Sequence, residues 1–459
     1  MTEKEYQNLI QRTLPTIDRL AEKSKKSMII DNSFYVDKDV KRGLRDIDGK
    51  GVLAGLTEIS EIIAFNKNPD GSKGEPCDGI LRYRGYNIKD IVNGFIKDNR
   101  QGFEESAYLL LFGELPSKTE LAEFCDLLAS FRHLPPSFVR DFILKAPPLD
   151  MMNGLSRGVL TLYSYDPSPD CICISNVLRQ CIALIAQFPL LSVYSYHAKK
   201  HYHDGESLYI HHPDSKFSTA QNFLKLLRVD EQFSDLEAKL LDLMFVLHAE
   251  HGGGNNSTFA THVVSSSGSD TYSTIAAALG SLKGPRHGGA NNMVAQMVDD
   301  IKANVKSPTD KNLKDYLAKI ASKKAFDRTG LIYGIGHAVY SLSDPRAVIM
   351  KKYVEGLSKE KNRHDDFMLY DAIERLAPEI IASRHSMYKG VSANVDFYSG
   401  FVNSMLGIPQ ELYSPIFAIA RMAGWSAHRI EELANNGKII RPNYECVTGA
   451  RGYVGIGKR

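Results

Sequence analysis

The sequence predicts a mainly α-helical protein with one small β element near its N-terminus. Two observations carry this. Apolar residues recur at the i, i+3, i+4 spacing of a buried helix face through most of the chain, as at Leu236, Leu240, Leu243, Met244 and Leu247. Strand-like stretches, by contrast, are confined to Gly51–Ala64 (GVLAGLTEISEIIA) and Ile80–Tyr86.

Taken in order, those two stretches form the β element. The 236–247 helix runs directly into His248 and is apolar at nearly every position from Leu240 to Leu247, so it should be buried on most faces. The segment Thr271–Leu282 (TYSTIAAALGSL) is rich in small residues, which let helices approach closely, and Gly284-Pro285 stops it. A following helix begins near Ala290 and turns Met293, Val294, Met297 and Ile301 inward. Further helical patterns cover 311–323, 364–376, 398–406 and 411–435, with no internal repeat.

At 459 residues the chain is long enough for two or three domains. A 43% hydrophobic, 24% charged composition with a net charge of +2 gives no sign of a nucleic-acid or membrane-surface partner. No run of eighteen apolar residues occurs, so no membrane span is expected. The opening MTEKEYQNLIQRTLP reads as neither a signal nor a transit peptide. Six sparse cysteines fit a reducing, cytoplasmic setting, and Cys171-Ile-Cys173 reads as a buried pair rather than a zinc knuckle.

Three residues stand out chemically: His287 in GPRHGGAN, His337 in GIGHAVY and Asp396 in NVDFYSG, each in or beside a turn next to a helical pattern. A base, a neutral hydrogen-bond donor and an acid are what the formation and use of a carbon nucleophile require. Spacing alone leaves other readings open. His287 could merely cap a helix, His337 could be a loop histidine without a ligand, and Asp396 could be a buried acceptor or a helix cap. A helix N-terminus beside His287 would depress its pKa. Arg346, Arg421 and Arg441 suit a small acid with two or more carboxylates, because guanidinium forks match carboxylates bidentately.

His248 and His251 (HAEH) share a helix face, yet no further ligand completes a metal set. His197, His201, His203, His211 and His212 crowd one stretch, read as a surface loop before a helix and not as a metal tract. Gly252-Gly253-Gly254 and GYVGIGK fit neither the Walker nor the dinucleotide-binding pattern, which argues against ATP hydrolysis and nicotinamide chemistry.

A run of strings in order resembles the citrate synthase family: LRYRGYNIKDI (81–91), FEESAYLLLFGELP (103–116), HAEHGGGNNSTFATHVVSSSGSDTYS (248–273), GPRHGGANN (284–292), GIGHAVY and DPRA (334–347), NVDFYSG (394–400) and ARMAGWSAH (420–428). Together they run from about residue 50 to the C-terminus. The resemblance implies a large helical domain (1–289), a small helical domain (290–410) and a C-terminal segment (411–459) returning to the large domain, with the active site in the cleft. It implies condensation of acetyl-CoA with oxaloacetate and hydrolysis of citryl-CoA, with 2-methylcitrate synthesis from propionyl-CoA as the near alternative and a non-catalytic binding protein of the same fold as a remote one.

Acetyl-CoA is then a substrate, and neither cofactor nor metal is implied. Residue by residue, Asp396 becomes the base, His287 the enolate donor and His337 the group polarising the keto acid. His251 contacts the keto acid, with His248 behind it, while Arg346, Arg421 and Arg441 hold carboxylates. Arg441 would come from the neighbouring subunit of a homodimer. Ala338 stands where an arginine is frequent in the family, which removes one expected coenzyme A contact.

Overall fold

The computed structural model describes residues 3–46, 51–68, 73–285, 287–336, 339–340, 342–383 and 391–458. Among these residues there are seventeen α-helices and one three-stranded sheet, as the helical periodicity predicts. The chain divides into two compact units, Met1–Leu53 with Arg441–Arg459, and Ala54–Ile440.

The first unit contains a 26-residue helix, Glu3–Met28, with Pro15 inside it. Lys38 and Glu445 pair within the same unit at 2.5 Å.

The second unit holds the hydrophobic core. Its sheet is antiparallel, in the order β1 (Ser60–Lys67), β2 (Lys73–Tyr83), β3 (Tyr86–Asn87). The register pairs Ser60 with Tyr83 and Ile62 with Leu81. Residues 52–59, expected as strand, precede β1 and are not in the sheet. Ile59, Leu81 and Tyr83 are fully buried at the sheet's inner end.

The helices fall close to expectation: Asp235–His248, Thr271–Lys283, Ala290–Asn304, Asp310–Ala321, His364–Ala382, Val395–Met405 and Tyr413–Ala434. The first is capped by a reciprocal pair in which Ser234 takes the Glu237 amide and Glu237 takes the Ser234 amide. The last is buried continuously from Pro415 to Arg429, so it serves as an axle for the unit.

Two expectations are corrected in and beside the helix Ile174–Asp204. This helix is long and apolar enough by composition to cross a membrane, although scattered polar residues break it into shorter apolar runs. Its most apolar window is 89% buried inside the protein, which accounts for the composition. The histidine-rich stretch is not wholly a loop: His197, His201 and His203 lie on the last turns of this same helix, with His197 buried against the Leu226 carbonyl at 3.1 Å. Finally, Cys171 and Cys173 are both exposed. They precede the first turn of that helix, where the chain has not yet entered the core.

Candidate active site

Seven pieces of the second unit contribute to the site: the end of the 235–248 helix, the start of the 256–266 helix, the turn between the 271–283 and 290–304 helices, the 334–336 turn, the starts of the 345–360 and 395–405 helices, and the first two-thirds of the 413–434 helix. The 334–336 turn and the 395–405 helix are built as one piece. Asn394 caps that helix by accepting from the Asp396 amide at 3.0 Å, and its side-chain NH2 donates to the Gly336 carbonyl at 2.9 Å. The Asn394 amide reaches the Gly334 carbonyl at 2.9 Å, and Gly336 donates to Ser392 at 2.7 Å. Gly334 is at φ +78°, and a Cβ there would lie 2.7 Å from Phe397, so no other residue fits. His337 and Ala338 lie outside the described residues.

The cap assignment settles one open reading of Asp396. Asn394 is the N-cap, so Asp396 stands within the first turn with its side chain uncommitted. Its Oδ1 is buried with no hydrogen-bond partner among the described residues. Burial pushes the carboxyl up to about 6; Arg346 and Arg421 pull the other way, and Asp344 adds to the rise. An acid near neutrality is what a general base requires.

His287 sits in the turn that ends the 271–283 helix. That turn closes through Gly288, whose amide reaches the Leu282 carbonyl at 2.9 Å. A Cβ on Gly288 would meet the same carbonyl at 2.5 Å. The His287 imidazole is held down at about 4, first by burial and then by the Arg421 charge. The expected helix-terminus effect is therefore not the main cause, although the ring is neutral as expected. His287 Nε2 lies 3.0 Å from Ser257 Oγ, which also accepts from Nε1 of Trp425, the chain's single tryptophan, at 3.2 Å. When the Ser257 hydroxyl donates its hydrogen bond to Nε2, the ring's one proton sits on Nδ1 and faces away from the serine.

Arg421 lies at the centre. Its Nε donates to the His248 carbonyl at 2.7 Å, and its guanidinium stacks 4.7 Å from the Phe417 ring centre. Both terminal nitrogens are buried without a hydrogen-bond partner among the described residues. Phe417 also touches His248, at 4.7 Å between centroids, and His287 at 6.2 Å. Burial lowers the Arg421 pKa to about 10, Glu250 opposing and Arg346 adding to the fall, so it stays charged. Arg346 follows the helix cap Asp344 and is gripped by it, Nε to Oδ1 at 3.0 Å and one terminal nitrogen to Oδ2 at 2.7 Å.

His248 is neutral, at about 3 through burial, with its Nδ1 on the Met244 carbonyl at 2.8 Å. His251 is buried 5.6 Å from the Tyr340 ring centre. Arg441 is exposed and belongs to the first unit.

Sequence reasoning passed over Glu250, Ser257, Phe417, Trp425 and His428. Trp425 carried a signal, as the only tryptophan in the chain. The others carried none, because their roles arise from contacts across distant segments. Among the described residues one group, His262, His428 and Glu431, brings three potential metal-ligand atoms within 4.8 Å of one another, outside the histidine groups considered from sequence.

Residues 44–443 match the family profile described as citrate synthase, C-terminal domain. The chain belongs to the citrate synthase family. It is 33% identical to a citrate synthase of Synechocystis sp. over 90% of this chain and 92% of that one. It is 31% identical to 2-methylcitrate synthase 1 of Corynebacterium glutamicum over 88% of this chain and 94% of that one. Among solved structures, the citrate synthase of Thermoplasma acidophilum, a ternary complex with carboxymethyl coenzyme A and oxaloacetate, superposes with a TM-score of 0.72 at 26% identity, covering 91% of this chain and 99% of that one. The chain is thus an acyltransferase of the citrate-forming kind, with the mainly α architecture of that family.

Proposed function

We propose that Asp396, His287 and His337 carry out the condensation of acetyl-CoA with oxaloacetate. The observation that supports this reading best is Asp396 itself. It is a buried carboxylate with an uncommitted oxygen, raised to about 6, near two buried guanidinium groups. Asp396 removes a methyl proton from acetyl-CoA. Neutral His287 donates from Nδ1 to the thioester oxygen, so the enol is stabilised as it forms. His337 donates to the keto oxygen of oxaloacetate, a role that rests on the family resemblance. The enol carbon attacks that carbonyl, citryl-CoA forms, and water cleaves the thioester to citrate and coenzyme A.

In this reading His251, Arg346 and Arg421 hold the keto acid, and Arg441 reaches the site of a partner subunit in a homodimer. The large domain would be 1–289, the small domain 290–410 and the returning segment 411–459, with closure excluding water. The setting is cytoplasmic, and no cofactor, metal, membrane or nucleic acid takes part. If Arg441 acts across the interface, mixing Arg441→Ala with Asp396→Asn chains should restore about a quarter of wild-type activity per site. No recovery despite subunit exchange would place Arg441 elsewhere.

The 2-methylcitrate synthases among the relatives keep a second reading in play, since one methyl group is worth only about 1–3 kcal/mol in an apolar pocket. Steady-state kinetics with acetyl-CoA and propionyl-CoA, each with oxaloacetate, decide it. A higher kcat/KM for acetyl-CoA is expected, and a preference for propionyl-CoA would reassign the chain.

A further inference from the structure

Beneath Arg421 lies a buried set of charges that the reaction does not use. Glu250, between the two histidines of HAEH, is fully buried. Its Oε1 accepts from Ser60 Oγ at 2.9 Å and from the Gly252 amide, and lies 3.1 Å from His428 Nε2. Its backbone is fixed as well, because Tyr83 Oη donates to the Glu250 carbonyl at 3.1 Å. Among the described residues its Oε2 has no hydrogen-bond partner, and it packs over Gly424, where a Cβ would come within 2.4 Å. Gly424 is one helical turn from Arg421, whose own terminal nitrogens are also without a partner among the described residues. A carboxylate oxygen and a guanidinium fork, both buried and each feeling the other's charge, are therefore neighbours that do not pair.

Proton counting shows what holds Glu250 in place. His262 Nδ1 faces Glu432 at 2.7 Å, so it carries a proton. A further proton lies between His262 Nε2 and His428 Nδ1, 3.0 Å apart, and the carboxylates of Glu250 and Glu431 beside His428 favour it on His428. His428 Nε2 faces the Glu250 carboxylate, so it too carries a proton. His428 is thus an imidazolium, with Glu431 Oε2 a further 3.5 Å from Nδ1. The groups facing it are Glu250 from the segment after the 235–248 helix, His262 from the 256–266 helix, and Glu431 on its own helix. The buried surroundings oppose its charge, yet Glu250 and Glu431 hold its pKa at about 9, while His428 and Arg421 hold Glu250 at about 2 against burial.

We propose that the His428–Glu250 ion pair is a positioning device that keeps Glu250 off Arg421, leaving the Arg421 fork open for a carboxylate of the keto-acid substrate. Without the imidazolium, Glu250 swings its free oxygen onto Arg421 and competes with substrate from inside the protein. The inference rests on Arg421 binding a substrate carboxylate, as proposed above.

The test compares His428→Gln, Glu250→Gln/His428→Gln and Arg421→Ala, using oxaloacetate titration by calorimetry and steady-state kinetics. His428→Gln should weaken oxaloacetate binding by about ten-fold or more, with KM for acetyl-CoA within about three-fold of wild type. The double variant lacks the competing carboxylate and should regain oxaloacetate affinity to within about three-fold of wild type, a rescue that a merely structural role would not give. Equal weakening in the single and double variants overturns the proposal. If His428→Gln does not fold, the double variant decides alone: near-normal affinity supports the proposal and weakened affinity overturns it. Stoichiometric zinc in the purified protein, lost with oxaloacetate binding on EDTA treatment, would put a metal where the proton is inferred and also overturn it. Arg421→Ala separates the two readings. Unchanged oxaloacetate affinity there removes the substrate role of Arg421, whereas a loss there with none in His428→Gln removes only the positioning role.

Discussion

Two buried arginines near Asp396 differ in what they touch. Arg346 is paired with Asp344, which takes two of its nitrogens and caps the same helix. Arg421 uses only its Nε, on a backbone carbonyl, and stacks on Phe417 with its fork unfilled. A buried guanidinium that is already paired is held in place by the scaffold and adds its charge to the site. One that is buried and open carries an unbalanced cost that a ligand carboxylate can offset. Both are family-matched arginines, and the sequence string does not tell them apart.

The largest expected effect comes from the group that feels both. Asp396→Asn should fold normally and retain oxaloacetate binding, with kcat reduced about 10²–10⁴-fold. A variant retaining more than about a tenth of the wild-type rate would remove Asp396 from the role of base.

The two arginines should then separate in different measurements. Arg421→Ala is expected to raise the KM for oxaloacetate about a hundred-fold with little change in Tm, since no protein charge partner is stranded. Arg346→Ala strands Asp344 in the core and should cost about 3–5 kcal/mol of stability, seen in a denaturant titration. Equal stability losses in the two variants would break the comparison.

A smaller effect is read from pH. Asp396 must be ionised to act, so kcat/KM should fall about ten-fold per unit below an apparent pKa near 6, while His287 stays neutral down to about 4. The stability signs follow from the same groups. A carboxyl raised above its unfolded value favours the folded state as pH falls from about 6 toward the ordinary value of about 3.9. A histidine lowered to about 4 loses stability as pH falls from its ordinary value of about 6.5. Asp396→Asn should therefore steepen the acid destabilisation between those limits. An activity profile flat to pH 5, or a variant with an unaltered stability profile, would count against the raised carboxyl.

The smallest effect is the absence of one. EDTA should leave activity unchanged, and metal analysis by mass spectrometry checks this directly against the His262, His428 and Glu431 group.

Much of the helical layout was legible before any coordinates, because a buried helix face writes its 3.6-residue period into the sequence. The Asp235–His248 helix falls within a residue of its expected limits, and the Ala290–Asn304 helix starts where expected, for that reason. The Ile174–Asp204 helix was missed because burial on nearly all sides erases the period that marks an amphipathic helix. The first strand was placed too early, since an extended run looks alike whether or not a neighbour pairs with it. The chemistry-bearing residues could be picked out by type and by ordered strings, and the structure brings His287, His248, Asp396, Arg346 and Arg421 together within one unit. What the sequence by itself determined was therefore local: periodicity, turn glycines, and the residue types a carbon–carbon condensation needs. Only the tertiary structure decided which arginine is open, why His287 is neutral, and that His428 sets Glu250 apart from Arg421. Those properties depend on burial and on charges brought together from segments up to 190 residues apart, as Ser60 and Glu250 are, and no local pattern records such distances.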